Sequence, residues 1–380
     1  METPVAKGFD FHMPTRIVFG DGSLNKLGHI ISEKKSSGAR IFLVTGKNSL
    51  KSQGVLGRIR HYLKGHQITH FDDALPFPSP ELVDEAVELC RKSEPDIVVS
   101  VGGGSALDLG KLVAILLNND GTSLEYGQGQ KKITNRGLPF IAVPTTSGSS
   151  SEVTSGAALW QMDIERSCNI NHEYMFPEVA LVDPELTFSM PKDLAAATGM
   201  DAFTSAFESY WSLESQPPTD SIALKVIELY LQNLENSCIN GEREARRNCA
   251  LAATWSGIGY TNSRPNICHA FSSPLTIFWG VPHGEAVGVS LSSCLSWNIE
   301  SIERKLTDLW SAMGVNNLDE ACSRIQLLIS NCGLRTKLKP MGVTTKDLDR
   351  IMRCVPWERL GTIPRTMKQP EARTLIESLI

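Results

Sequence analysis

At 380 residues the chain has room for about two domains of ordinary size, and 41% hydrophobic with 21% charged residues is the composition of a soluble globular protein with a sizeable core. The net charge of −5 is spread over interspersed acids and bases, which argues against nucleic acid or an anionic membrane surface as a partner.

The opening METPVAKGFDFHMPTRIVFGDG lacks the continuous apolar core of a secretory signal, and no later run approaches membrane-spanning length. Nine scattered cysteines without a CxxC pair read as reduced thiols, which places the protein in the cytoplasm. RIVFG (16–20), ARIFLVTG (39–46), PDIVVSVGGGS (95–105) and LPFIAVPTTSGSS (138–150) are short β-branched runs ending in Gly, Ser or Thr, the pattern of strands. SPELVDEAVELCRKS (79–93) opens with Ser-Pro and sets Leu82, Val83, Ala86, Leu89 and Cys90 on one helical face. Strand, helix, strand, glycine turn, helix predicts a parallel α/β sheet, whose ligands sit beyond the carboxyl ends of the strands.

After LVDPELTFSMP the β-branched runs fade and amphipathic segments take over, at 219–236 (Thr219 or Asp220 as N-cap), 243–255, 302–313, 318–331 and 345–354. Arg243, Arg246 and Arg247 read as a solvated helix face. The change of character predicts an α/β dinucleotide-binding domain over 1–187 and an all-helical domain over 188–380, with a small-molecule site in the cleft between them.

Two turns carry the cofactor argument. In SVGGGSALDLGK (100–111), Gly102, Gly103 and Gly104 let backbone N–H groups approach a pyrophosphate, and the helix opening near Ser105, with Asp108 one turn on, offers its positive end. PTTSGSSSEVT (144–154) supplies Thr145, Thr146 and Ser149 at a second strand end, to bond a cofactor or to satisfy the loop itself. The chemistry falls on His269 and His283, fourteen residues apart with Pro274, Gly280 and Pro282 between them. They read as the end of one helix and the start of the next, with Asp201 as third member. Two imidazoles and a carboxylate suit a divalent ion such as Zn²⁺ or Fe²⁺ with a coordination position left open. Cys268, adjacent to His269, reads as core because neighbouring helix residues point apart.

GGGSxxDxxK, PTTSGSxSEVT, GMDAxTxAxES, HAxxxPL and PHGEAV occur here in one order, and together they resemble the iron-containing (group III) alcohol dehydrogenase family over nearly the whole chain. The resemblance implies the dehydroquinate synthase-like fold: a Rossmann-like parallel sheet binding NAD(P)H, then an all-α domain carrying a divalent metal. It implies reversible aldehyde reduction, with Asp201, His269 and His283 as ligands. At the family's remaining histidine ligand position stands Ser205, and where a further histidine often lies near the substrate stands Ser273. The family's NAD-preferring members carry an acid at the end of the second strand; here Gly46 and Lys47 stand there, which favours NADPH, with NADH left open. SRPNICHAFSSPLTIFWGVPHGEAV is most similar to the hydroxyethylphosphonate dehydrogenase (phosphonoacetaldehyde reductase) branch. Arg264 is then either the fork for a phosphonate or a structural arginine of the helix-entry loop. The expected partners are a small anionic carbonyl substrate and a second copy of the chain in a homodimer. Reduction of phosphonopyruvate, a metal-free reductase, an NAD-using lyase and a non-catalytic binding protein are the alternatives.

Overall fold

The computed structural model describes residues 8–36 and 38–380. Six strands make one parallel sheet: β1 (Arg16–Phe19), β2 (Arg40–Thr45), β3 (Gln67–Phe71), β4 (Ile97–Gly102), β5 (Phe140–Pro144) and β8 (Val179–Val182). Between β5 and β8 the chain makes an antiparallel hairpin of β6 (Gly156–Gln161) and β7 (Arg166–Asn171). The sheet order is β1-β8-β5-β4-β2-β3. Central β4, paired on both sides, is buried at every residue, as a parallel strand covered on both faces must be.

Alternation along the strands sorts the side chains. Phe42, Val44, Val98 and Ala142 face helices α3 (Pro80–Ser93) and α4 (Gly104–Leu116). Ile41, Leu43, Val99 and Ile141 face α1 (Leu27–Lys34) and α2 (Val55–Tyr62). From β2 the chain steps outward to β3, then crosses back to place β4 on the other side of β2. The crevice beyond the carboxyl ends of β2 and β4 is therefore the topological switch point, where such sheets bind their ligands. Gly46 and Gly103 follow those two strand ends.

The four strands expected from sequence are all present. The remaining strands escape a pattern reading for physical reasons: β3 is a polar edge strand, β8 is four residues long, and RSCNIN in β7 lacks clean alternation. Helix α3 is capped by the Ser79 hydroxyl as expected, but Leu89 stays 38% exposed while Val83, Ala86 and Cys90 are buried.

The helical part begins with α5 (Lys192–Trp211), followed by α6 (Pro217–Ile239), α7 (Arg243–Tyr260), α8 (Ile267–Trp279), α9 (His283–Gly288) and α10 (Leu291–Asn298), and closes with Gln369–Ser378. Helix α5 is buried on almost all sides from Ala195 onward, so it is the axis of this part rather than an amphipathic surface helix. Helix α6 starts two residues before the expected cap, because the Thr219 hydroxyl turns back to accept the Gln216 N–H at 2.7 Å. The segments expected at 302–313 and 345–354 are helical only from Leu306 and Leu348, each after a 3₁₀ turn.

One of the three α7 arginines leaves the solvated face expected of them, while Arg243 stays exposed and Arg247 partly so. Arg246 is 2% exposed and donates to the carbonyls of Thr187 (3.1 Å) and Met190 (2.9 Å), gripping the segment that links sheet to helices. Arg247 pairs with Asp21 beyond β1, and Arg243 lies over the Phe188 ring. Among the described residues no helix is long and apolar enough to cross a membrane.

Candidate metal centre and cofactor cleft

Helix α5 presents Asp201 midway along its length, and helices α8 and α9 bring the two histidines to it. His269 lies in the first turn of α8, not at the end of a helix as the sequence suggested: α8 runs on through Pro274 to Trp279. His283 is the first residue of α9. One ligand atom from each of Asp201, His269 and His283 falls within 4.8 Å of the others. The close packing depends on Gly284, where an added Cβ would stand 1.7 Å from the Ala197 carbonyl oxygen of α5. Only a residue without a side chain lets α9 lie so near.

Glu208, two turns beyond Asp201, organises this arrangement. Its carboxylate is fully buried and accepts from the backbone N–H groups of Asn266 (3.0 Å), Cys268 (2.5 Å) and His269 (3.3 Å). It thereby satisfies the free N–H groups at the positive end of α8. It also takes His269 Nδ1 at 2.5 Å, which turns Nε2 toward Asp201 at 3.2 Å. A carboxylate behind a ligating imidazole fixes its orientation and raises its basicity. The helical spacing of 201, 205 and 208 places Glu208 on the ligand face, but its role as cap and orienter depends on where α8 begins.

The electrostatics fit a cation at this point. Burial works against protonating His269, yet Glu208 and then Asp201 outweigh it and push its pKa up to about 9. Burial pushes His283 down to about 4, opposed by Asp201 and helped by His269 and Arg359. Burial would raise Asp201, but the hydrogen bond from His269 and the charges of both histidines hold its carboxyl below the usual range. His283 Nδ1 is buried and has no hydrogen-bond partner among the described residues. An anionic carboxylate, a neutral imidazole with an orphaned nitrogen and a second imidazole backed by a carboxylate are a donor set that a divalent ion would satisfy.

Ser205 is buried on α5 one turn past Asp201. A serine hydroxyl is a poor metal ligand compared with an imidazole. The Ser273 hydroxyl is buried on α8 and leans back toward the His269 carbonyl at 3.5 Å.

On the sheet side, the two turns singled out in the sequence interlock. A Cβ on Gly104 would lie 2.5 Å from the Ser149 hydroxyl, and one on Gly103 would press on Thr146 at 3.2 Å. The Thr145 N–H bonds the Gly102 carbonyl at 2.9 Å, and the Ser105 hydroxyl accepts the Phe77 N–H at 3.3 Å. The second turn also meets α7, through Tyr260 Oη donating to the Ser149 carbonyl and Ser150 Oγ to that of Ala253. The wall behind the glycines is thus locked to the helical part.

Asp108 faces inward instead of toward a cofactor. Its two oxygens accept from the Ser151 hydroxyl (2.6 Å) and the Ala158 N–H (3.0 Å). Lys111 beside it donates to Ser151, Thr154 and the Gly156 carbonyl; burial brings its pKa down to about 8 against the pull of Asp108 and Glu152. This pair positions the loop entering the hairpin. At the switch point, Lys47 is exposed and paired with Asp73 at 3.3 Å. The structure does not bring Arg264 into the ligand cluster. Its backbone is left-handed (φ 58°), its side chain is 69% exposed, and it pairs with Glu214 at 3.3 Å.

The unforeseen hairpin completes the cleft. Trp160 of β6 stands edge-on to the His283 ring at 6.2 Å between centroids and to Phe77 at 4.8 Å. At the hairpin turn, Glu165 pairs with Arg350, whose guanidinium lies 3.8 Å from the centre of the Phe278 ring on α8.

Comparison with known proteins gives one consistent result. Residues 14–184 match the model of the iron-containing alcohol dehydrogenases, and residues 195–379 match the C-terminal model of the Fe-containing alcohol dehydrogenase family. Long-chain-alcohol dehydrogenase 1 of Geobacillus thermodenitrificans is 31% identical, over 96% of each chain. The solved structure of sulfoacetaldehyde reductase from Bifidobacterium kashiwanohense in complex with NAD+ superimposes with a TM-score of 0.91 at 30% identity, covering 98% of this chain and 99% of that one. A 1,3-propanediol oxidoreductase structure gives 0.92 at 28%, covering 98% and 100%.

Proposed function

Since this chain belongs to the iron-containing alcohol dehydrogenase family of NAD(P)-dependent oxidoreductases, we propose that it reduces a small anionic aldehyde, phosphonoacetaldehyde to 2-hydroxyethylphosphonate in the first instance. The carrying observation is the convergence of Asp201, His269 and His283, one ligand atom of each lying within 4.8 Å of the others. In this reading residues 1–187 hold the nucleotide and residues 188–380 the metal. Gly102, Gly103 and Gly104 admit the pyrophosphate to the start of α4. Asp201, His269 and His283 hold the ion while Glu208 keeps His269 oriented, and the interlocked turns and Trp160 wall the site. When bound, the divalent ion supplies Lewis-acid polarisation of a carbonyl and the nicotinamide supplies the hydride. With a serine at both 205 and 273, no imidazole stands at either position to hand on a proton, so solvent is left as its source.

Gly46 favours NADPH, because the chain places no carboxylate directly after the last residue of β2 to repel a 2′-phosphate. Lys47 contributes less, being paired with Asp73. A side chain fits at 46: its Cβ would meet nothing closer than the Ala74 carbonyl at 3.7 Å. Gly46→Asp is therefore expected to fold and to move the ratio of kcat/KM from NADPH toward NADH. An unaltered enzyme that already prefers NADH refutes this assignment.

The activity itself is tested with metal-replete protein, NADPH and NADH, and a panel of phosphonoacetaldehyde, sulfoacetaldehyde, phosphonopyruvate and neutral aldehydes. Consumption with the anionic aldehydes at the highest kcat/KM supports the reading. No consumption with any carbonyl removes the reductase in favour of a binding protein or a lyase.

A further inference from the structure

The 3₁₀ helix Trp357–Thr362 packs against α8, the helix that carries His269, and its last residue accepts the Leu213 N–H at 2.8 Å just beyond α5. Arg359 lies on it. Its guanidinium is within electrostatic range of His283, Glu208 and Tyr260, the last being the α7 residue that anchors the second turn. The residue is half-buried. Among the described residues it makes no side-chain hydrogen bond and no ion pair, whereas Arg264, Arg335, Arg350 and Arg365 each have a carboxylate. Burial draws its pKa below the usual value, with Glu208 and Glu358 restoring only part of the lost hydration. A half-buried guanidinium keeps five N–H donors that water alone serves poorly, in a fork matched to two oxygens of one anion.

We propose that Arg359 is the specificity-determining residue that binds the anionic group of the substrate, a phosphonate, sulfonate or carboxylate, while the carbonyl lies toward Asp201, His269 and His283. This assignment rests on the reading of the protein as a reductase of a small anionic aldehyde, and it moves the anion fork from Arg264, the residue the sequence suggested. It gives the half-buried cation a counterion that arrives only with substrate. It also selects a short molecule, because anion and carbonyl must both fit between Arg359 and the ligand cluster.

The test compares wild type with Arg359→Met, Arg359→Lys and Arg264→Ala, using phosphonoacetaldehyde and propanal as substrates and ethylphosphonate as inhibitor of propanal reduction. For Arg359→Met the preference for phosphonoacetaldehyde over propanal is expected to fall about 10- to 100-fold, mostly in KM, with a parallel loss of ethylphosphonate inhibition. Arg359→Lys is expected to recover part of it, and Arg264→Ala to keep the wild-type ratio. Equal losses on both substrates, or a selective loss in Arg264→Ala instead, overturn the proposal, as does a wild type that ethylphosphonate does not inhibit. Inhibition that depends on Arg359 in an enzyme that fails to reduce phosphonoacetaldehyde upholds the anion site and removes only the substrate reading.

Discussion

Glu208 shows how much one carboxylate can do in a dry site. It closes the N-terminal end of α8, bonds His269 Nδ1 and aims Nε2 at Asp201. Glu208→Gln keeps the shape but loses the charge, so metal affinity is expected to drop about 10- to 100-fold, read by titration with Zn²⁺ or Fe²⁺. An unchanged affinity would show that the carboxylate serves the helix end alone. The same contact makes the metal-free protein sensitive to pH. The folded pKa of His269, about 9, lies above the value near 6.5 of an unfolded chain. The imidazolium therefore contributes stability that is fully present below about pH 6.5 and is lost as pH rises through about 9. Urea unfolding of chelated wild type and His269→Gln should show their stability difference shrinking across that window. A constant difference would mean that His269 is already neutral.

At the scale of elements, the candidate metal centre depends on how near α9 lies to α5. Gly284→Ala puts a methyl group where the Ala197 carbonyl stands, so the helices must separate and His283, adjacent in sequence, moves off Asp201. The expected cost is about 1–3 kcal/mol of stability by denaturation, accompanied by weaker metal binding in the folded fraction. A folded variant with unimpaired metal affinity would show that helix spacing does not set the ligand geometry. The hairpin β6–β7 makes a related point: its sequence carries no strong strand pattern, yet it places Trp160 against His283.

For the whole molecule the question is what holds the sheet and the helices in one register, since the glycine turn lies on one and the candidate ligands on the other. Arg246 grips the connecting segment from inside α7, and the loop after β5 is seated on the same helix through Ser149 and Ser150. Arg246→Met leaves the buried carbonyls of Thr187 and Met190 without these donors, at about 1–3 kcal/mol for each group left unsatisfied. Chemical denaturation should show that loss as a lower midpoint. A variant as stable as wild type would mean that the linker finds other donors.

The four sequence-legible strands, helix α3, the glycine turn and the grouping of Asp201, His269 and His283 were readable because each rests on a local rule: β-branched runs, a Ser-Pro cap, backbone N–H groups at a helix start, and residue types that can bind divalent ions. His269 and His283 could be named together from their chemistry and spacing, but not the helix turn in which His269 sits. The inward turn of Asp108, the capping by Glu208, the clamp by Arg246 and the exposed pairing of Arg264 with Glu214 could not be read this way. A charged side chain's role depends on which carbonyl, amide or carboxylate the fold brings within about 3 Å. Those neighbours come from helices far apart in the chain, so only the tertiary structure decides between solvated charge, structural clamp and a free guanidinium such as that of Arg359.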